Sequence, residues 1–162
     1  MRCFALLALV SLAIFGTSSA LVDASYRTTV SVNANAYDER TTSCSPYGCV
    51  PENTRDGDLW ANSRWSCKED LEDERCKITY YFDEPQDIVQ LQIAFHKGDE
   101  RQRWLTVSLN GSTYTIIESS GNTLDYQTFY LNSDETAELC LEAVGLDGDE
   151  WISLVEVQFL VD

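Results

Sequence analysis

Histidine is nearly absent from this chain: His96 is the only one in 162 residues. A single histidine argues against zinc, because the cysteine spacings do not supply the missing ligands. It also leaves nucleophile–histidine catalysis one candidate base, which has no serine or cysteine beside it. Basic residues are scarce too. Lys and Arg number 11 against 27 Asp and Glu, for a net charge of −16. So acidic a surface argues against nucleic acid and anionic membranes as partners. Beyond residue 20 no apolar run approaches the roughly 20 residues needed to span a bilayer. Internal repeats, low-complexity stretches, linkers and convincing helical periodicity are all missing.

What is present begins with a leader. Met1-Arg2 is followed by an apolar run to Gly16, then by small and polar residues to Ala20. This is the three-part pattern of a secretory signal peptide over 1–20, cleaved after Ala20. It predicts a secreted, extracellular product. Residues 21–29 read as an N-terminal extension and 30–162 as one domain, enough chain for a real core. Five cysteines lie beyond the leader. The close pairs Cys44–Cys49 and Cys67–Cys76 read as disulfides. Cys140 is left over, as a buried or half-buried thiol or, less simply, as an intermolecular bridge.

Alternation of apolar and polar residues predicts strands over 30–37, 77–82, 88–95, 104–109, 112–118, 126–131, 137–144 and 151–161. In 88–95 the pattern sets Val89, Leu91, Ile93 and Phe95 on one face. Residues 83–87 read as a turn. Asn110-Gly111 is a strong two-residue hairpin signal. Asn110-Gly111-Ser112 is also a glycosylation sequon, although a turn asparagine explains Asn110 equally well. The fold class expected is all-β: a single β-sandwich of jelly-roll type with about eight antiparallel strands.

Residues 53–67 stand apart, and read as a loop that something else must hold. Asp56 and Asp58 flank Gly57, and Ser63 adds a hydroxyl. Calcium takes six to eight such oxygens. An EF-hand is excluded, because Cys67 stands where its glutamate would be. A solvated acidic turn is the plainer alternative.

Three segments together carry a resemblance. They are Asn53-x-x-Asp56-Gly57-Asp58 closing on Ser63-Arg64-Trp65-Ser66, the strand ending Ile93-Ala94-Phe95-His96-Lys97-Gly98-Asp99, and the final apolar strand from Trp151 to Phe159. In order and spacing they resemble the galactose-binding-domain-like β-sandwiches, also called discoidin or coagulation-factor C-type domains. The subgroup they are most similar to is the carbohydrate-binding modules attached to alginate lyases. The resemblance implies a structural calcium ion between the early loop and the last strand. Its ligands would be the Asn53 carbonyl, the Asp56 carboxylate, the Asp58 carbonyl, the Ser63 hydroxyl, the Val155 carbonyl and the Glu156 carboxylate.

It also implies sugar binding on loops at one end of the sandwich. The 96–103 loop concentrates His96, Lys97, Arg101 and Arg103 in a chain poor in basic residues. Arginine pairs bidentately with carboxylates and sulfates, so the expected ligand is an anionic or uronic-acid-containing polysaccharide. Charge balance with Asp99 and Glu100 is the competing account of the same residues. Tyr37, Trp60 and Trp151 are the candidate stacking aromatics, whereas Trp65 and Trp104 are expected to pack. No carboxylate pair is marked out for catalysis, so a non-catalytic, lectin-like role in glycan binding, as a monomer, is expected over an enzyme. The alternatives are a protein-binding or adhesion domain, which a tryptophan-tipped loop end without a groove would favour, and a small polysaccharide lyase.

Overall fold

One long strand ties the molecule together. In the computed structural model, which describes residues 20–32, 48–68, 76–145 and 151–162, β4 runs unbroken over Lys77–Phe95. Numbered in chain order, the other strands are β1 (Val22–Asp23), β2 (Thr28–Val32), β3 (Trp65–Lys68), β5 (Trp104–Leu109), β6 (Ser112–Glu118), β7 (Gln127–Val144) and β8 (Trp151–Val161). The first half of β4 pairs with β2 and the second half with β8. β7 accompanies β4 along both halves, and its own C-terminal half pairs with β5, which pairs with β6. β3 and β1 flank the two ends of β8. All eight strands are antiparallel and belong to one continuous hydrogen-bonded sheet.

That sheet folds over to make the two layers of a sandwich. The fold line lies where β4 and β7 lose register, between Tyr81 and Gln90. Pro85 falls in this irregular stretch, where its missing N–H costs no ladder bond. On β7 the matching bend has Asn132 and Glu135 at φ 50 and 46. The expected turn at 83–87 is therefore a bend inside one strand, and 126–131 and 137–144 are likewise one strand. Turn-forming composition signalled a change of direction correctly, but the backbone changes direction without leaving extended geometry.

The layers meet edge to face. The rings of Tyr80 and Phe82 lie 4.9 and 5.1 Å from that of Phe159 on β8. Around them the core collects Leu91, Ile93 and Phe95 of β4, Leu105 and Val107 of β5, and Leu139 and Leu141 of β7. The expected alternation holds with one slip. A bulge at Val89, between the pairs of Ile88 and Gln90 with β8, puts Ile88 rather than Val89 into the core.

Other departures are local. Residues 53–67 are not loop throughout, since Pro51–Arg55 form a 3-10 turn and Trp65–Lys68 pair with β8. The segment read as an extension is built into the sandwich: Val22 and Asp23 pair with Val161 and Leu160, and β2 starts at Thr28. Of the expected first strand, 33–37 lie outside the described residues. Trp65 is buried in the core as expected, but Trp104 is 41% exposed. Asn110 and Gly111 form the β5–β6 turn with φ 48 and 77. Cys67 and Cys76 are disulfide-bonded with Cα atoms 5.8 Å apart. Cys49 is also disulfide-bonded, and Cys44 lies outside the described residues. Cys140 is a half-buried free thiol. Among the described residues no helix is long and apolar enough to cross a membrane.

Candidate functional site

A second bulge builds the first half of the site. On β8, Glu156 pairs with Ala94 and Leu154 with Phe95, so Val155 is an extra residue. The bulge resets the alternation. Ile152 and Leu154 before it, and Val157 and Phe159 after it, all reach the core, while Glu156 stays out of that cluster. Glu156 is nonetheless only 1% exposed, and what covers it is the 53–63 segment.

That segment is shaped by its own acids. Asp56 accepts the Asp58 N–H at 2.8 Å, and Asp58 accepts the Trp60 N–H at 2.9 Å. The Ser63 hydroxyl donates to the second oxygen of Asp56. Gly57, at φ 79, turns its N–H onto Glu156 Oε2 at 3.2 Å. Asn53 spends its amide on the carbonyls of Gly48 and Arg64, at 2.9 and 3.0 Å. The structure thus brings Asp56, Ser63 and Glu156 together by their side chains. Asn53 and Asp58 use theirs on backbone groups, which suits residues expected to offer carbonyls. Among the described residues no three His, Cys, Asp or Glu side chains form a metal-ligand group.

Electrostatics at this junction are unfavourable to two free carboxylates. Burial, and then the Asp56 charge, push the Glu156 carboxyl up to about 8 against the opposing Gly57 N–H. Asp23 adds to the same field. The Tyr126 hydroxyl is held above its ordinary range by burial and then by Glu156, Asp23 and Asp56. Sequence reading missed Asp23 and Tyr126. They come from the segment read as an extension and from the residue just before β7, and no spacing rule links them to the loop.

The second half of the site is a cleft at the same end of the sandwich. Its volume is about 410 Å³, and Leu59, Trp60, Leu124 and Val155 give it apolar walls beside Phe95, His96 and Lys97. Trp60 is 77% exposed at its rim. The 96–101 turn is held by bonds from Gly98 N–H to the Phe95 carbonyl (3.1 Å) and from Arg101 N–H to the Lys97 carbonyl (3.1 Å). Lys97 takes a left-handed φ of 55 in it. The 120–125 loop docks directly on Gly98. Thr123 donates its N–H to the Gly98 carbonyl at 3.2 Å, and a Cβ on Gly98 would stand 2.5 Å from the Thr123 carbonyl oxygen.

Next to the cleft, and sharing His96 and Lys97 with it, is a smaller polar pocket of about 190 Å³. Arg64, Ser66, Arg101, Trp151 and Ser153 complete its lining. Burial and then the charges of Arg64, Lys97 and Arg101 lower His96 to about 4, so the imidazole is neutral at physiological pH. Its Nδ1 is buried without a hydrogen-bond partner among the described residues. Lys97 pairs with Glu100 at 3.4 Å, the charge balance that the loop composition suggested.

Of the six residues proposed for sugar contact, Trp60, His96, Lys97 and Arg101 converge on these two cavities. Arg103 lines neither. It donates to the Trp151 and Gln102 carbonyls at 3.3 and 2.9 Å, bracing the start of β8. Tyr37 lies outside the described residues. Arg64, overlooked as a site residue, was read only as part of a family motif.

Comparison with solved structures agrees with this architecture. A CBM32 domain of AlyQ, solved in complex with 4,5-unsaturated mannuronic acid, is similar at 24% identity and TM-score 0.64, over 81% of this chain and 92% of that one. A pectin-binding carbohydrate-binding module is similar at 20% identity and TM-score 0.63, over 88% and 91%. An F5/8 type C domain from Bacteroides fragilis is similar at 17% identity and TM-score 0.63, over 88% and 95%. No protein-family model and no curated protein matches the sequence. At these identities the common property is the fold.

Proposed function

We propose that this chain, which has the fold of the CBM32 and F5/8 type C β-sandwiches, is a secreted, non-catalytic glycan-binding module for anionic, uronic-acid-containing polysaccharides. One observation carries the reading: an exposed tryptophan cleft and a cation-lined polar pocket lie side by side and share His96 and Lys97. Sugar rings offer apolar faces that stack on aromatics, while their polar substituents need fixed partners. Two structural neighbours, one in complex with 4,5-unsaturated mannuronic acid and one pectin-binding, take ligands of the same chemical class. Secretion is supported by the leader and by the Cys67–Cys76 disulfide, which needs an oxidising compartment.

The Asp56–Glu156 junction is the proposed calcium site, with a structural role. The donor set fits: two carboxylates in hydrogen-bond contact, the Ser63 hydroxyl beside them, and carbonyls of Asn53, Asp58 and Val155 in the adjoining backbone. A divalent cation would favour both ionised carboxylates where burial now opposes them. When bound, the ion would hold the 53–63 segment on β8 and so fix Leu59 and Trp60 at the cleft.

A direct test is calorimetric titration of the mature protein with oligouronates, with and without a calcium chelator. Micromolar-to-millimolar binding that weakens in chelator is expected. A folded, calcium-loaded protein that binds no glycan would overturn the proposal. The adhesion alternative predicted a tryptophan-tipped end without a groove. Trp60 is at the tip, but it borders a cleft, and this favours a small ring-shaped ligand.

A further inference from the structure

We infer that the apolar cleft prefers a sugar residue carrying an O-acetyl group, with Leu59 and Leu124 as the residues that receive its methyl. The inference rests on the glycan-binding reading and deepens it by naming a substituent of the same ligand. The occupant is an O-acetylated uronate residue of the polysaccharide, with its ring on Trp60 and its acetyl group against the two leucines.

Exposure singles the two leucines out. Leu59 is 47% and Leu124 58% exposed, and they are the only exposed leucines among the described residues. Both line this one cleft, although they come from different loops. Their backbones are fixed. Asp58 accepts the Trp60 N–H at 2.9 Å across Leu59, and Thr123 Oγ1 accepts the Asp125 N–H at 3.0 Å across Leu124. Each leucine therefore sits inside a turn closed by its neighbour's side chain. Apolar side chains held out in water at one shared place mark a binding surface, whereas single scattered ones do not.

The chemistry of the walls selects the substituent. Six of the eight described residues around the cleft are apolar, and the exceptions are His96 and Lys97. A sugar stacks the C–H face of its ring on an aromatic such as Trp60, but its hydroxyls lie round the ring's edge. Against branched aliphatic walls those hydroxyls would give up water and gain no partner. An acetyl ester removes one hydroxyl and presents a methyl in its place, a group that leucine side chains take up favourably. At about 410 Å³ the cleft falls within the range of ligand sites, roughly 300–1,000 Å³, and accommodates a ring together with a substituent. The smaller pocket adjoins it through His96 and Lys97, so the polar groups of the same ring have a separate side to face.

The experiment titrates trimeric mannuronate and trimeric galacturonate calorimetrically into wild-type protein, Leu59→Asn and Leu124→Asn. Each trimer is used O-acetylated and again after deacetylation in mild alkali, so the two probes of a pair differ only in acetyl groups. Wild type is expected to favour an acetylated trimer over its deacetylated twin about fivefold, the scale of one methyl group withdrawn from water. Leu59→Asn or Leu124→Asn should bring that ratio below about twofold. Both positions are exposed, so both variants are expected to fold, and melting curves check this. Equal affinities in wild type overturn the inference and leave glycan binding standing. So does a fivefold preference that survives in both variants, which would place the acetyl group elsewhere. If wild type binds none of the four oligomers, the glycan-binding reading itself falls, and the inference with it.

Discussion

The Gly57 N–H donates to Glu156 Oε2 at 3.2 Å, joining residues 99 positions apart in the chain. This contact seats the 53–63 segment on the bulge of β8. It therefore places Trp60 beside His96, and it sets up the first prediction.

Glu156 makes stability depend on pH and calcium together. Its carboxyl is raised to about 8 in the fold, so the folded state holds that proton more tightly than the unfolded chain does. The associated stability is present below its ordinary value of 4.5 and is lost as pH rises through about 8. Without calcium the protein should melt about 5 °C lower at pH 8 than at pH 5.5, and saturating calcium should remove the difference. Glu156→Gln should flatten both responses. Scanning fluorimetry in chelator and in calcium reads all of these, and identical curves for wild type in every condition would count against a cation site.

Trp60→Ala tests the stacking platform. The ring is 77% exposed, so little burial is lost and the melting temperature should stay within about 2 °C. Oligouronate affinity should fall roughly tenfold, the scale of one aromatic contact plus its buried area. An unchanged dissociation constant would remove Trp60 from the site.

Arg101 and Arg103, treated alike in the sequence, should separate by assay. Arg103→Ala loses two bonds to backbone carbonyls and should cost about 1–2 kcal/mol of stability in urea unfolding. Arg101→Ala should leave stability within about 0.5 kcal/mol and weaken binding of the acidic oligomer. The reverse assignment would show that Arg103 faces the ligand.

Gly98→Ala tests how the two loops are joined. The added methyl would meet the Thr123 carbonyl at 2.5 Å, a backbone atom that cannot rotate away. The 120–125 loop, and Leu124 with it, should be pushed off the cleft. The expected cost is about 1–3 kcal/mol in stability, with weaker glycan binding. Wild-type affinity and stability would show that the docking of the two loops is dispensable.

Breaking the Cys67–Cys76 bridge by paired serine substitution should cost roughly 2–3 kcal/mol, the loop-closure scale for a separation of 9 residues. Urea unfolding measures this directly, and a loss under about 0.5 kcal/mol would mean that the loop is held by other contacts.

The sequence by itself determined the class of fold and most of the core. Period-two alternation is a local property, so Leu91, Ile93, Leu105 and Val107 could be assigned to the interior from their neighbours alone. The Asn110-Gly111 hairpin and the Cys67–Cys76 pairing were legible for the same reason, since each depends on residues close in the chain. The tertiary structure decided everything that depends on register. The bulges at Val89 and Val155 shift the alternation by one residue, and composition does not record a one-residue slip. They are what put Ile88 into the core and left Glu156 facing Asp56. The meeting of Trp60 and Arg64 with His96 and Ser153 comes from three separate segments, and only the folded sheet brings them to one end. The roles of Arg101 and Arg103 also had to wait for the fold. Two arginines in one loop carry the same charge, and only the position of the Trp151 carbonyl decides which one is occupied in holding the structure.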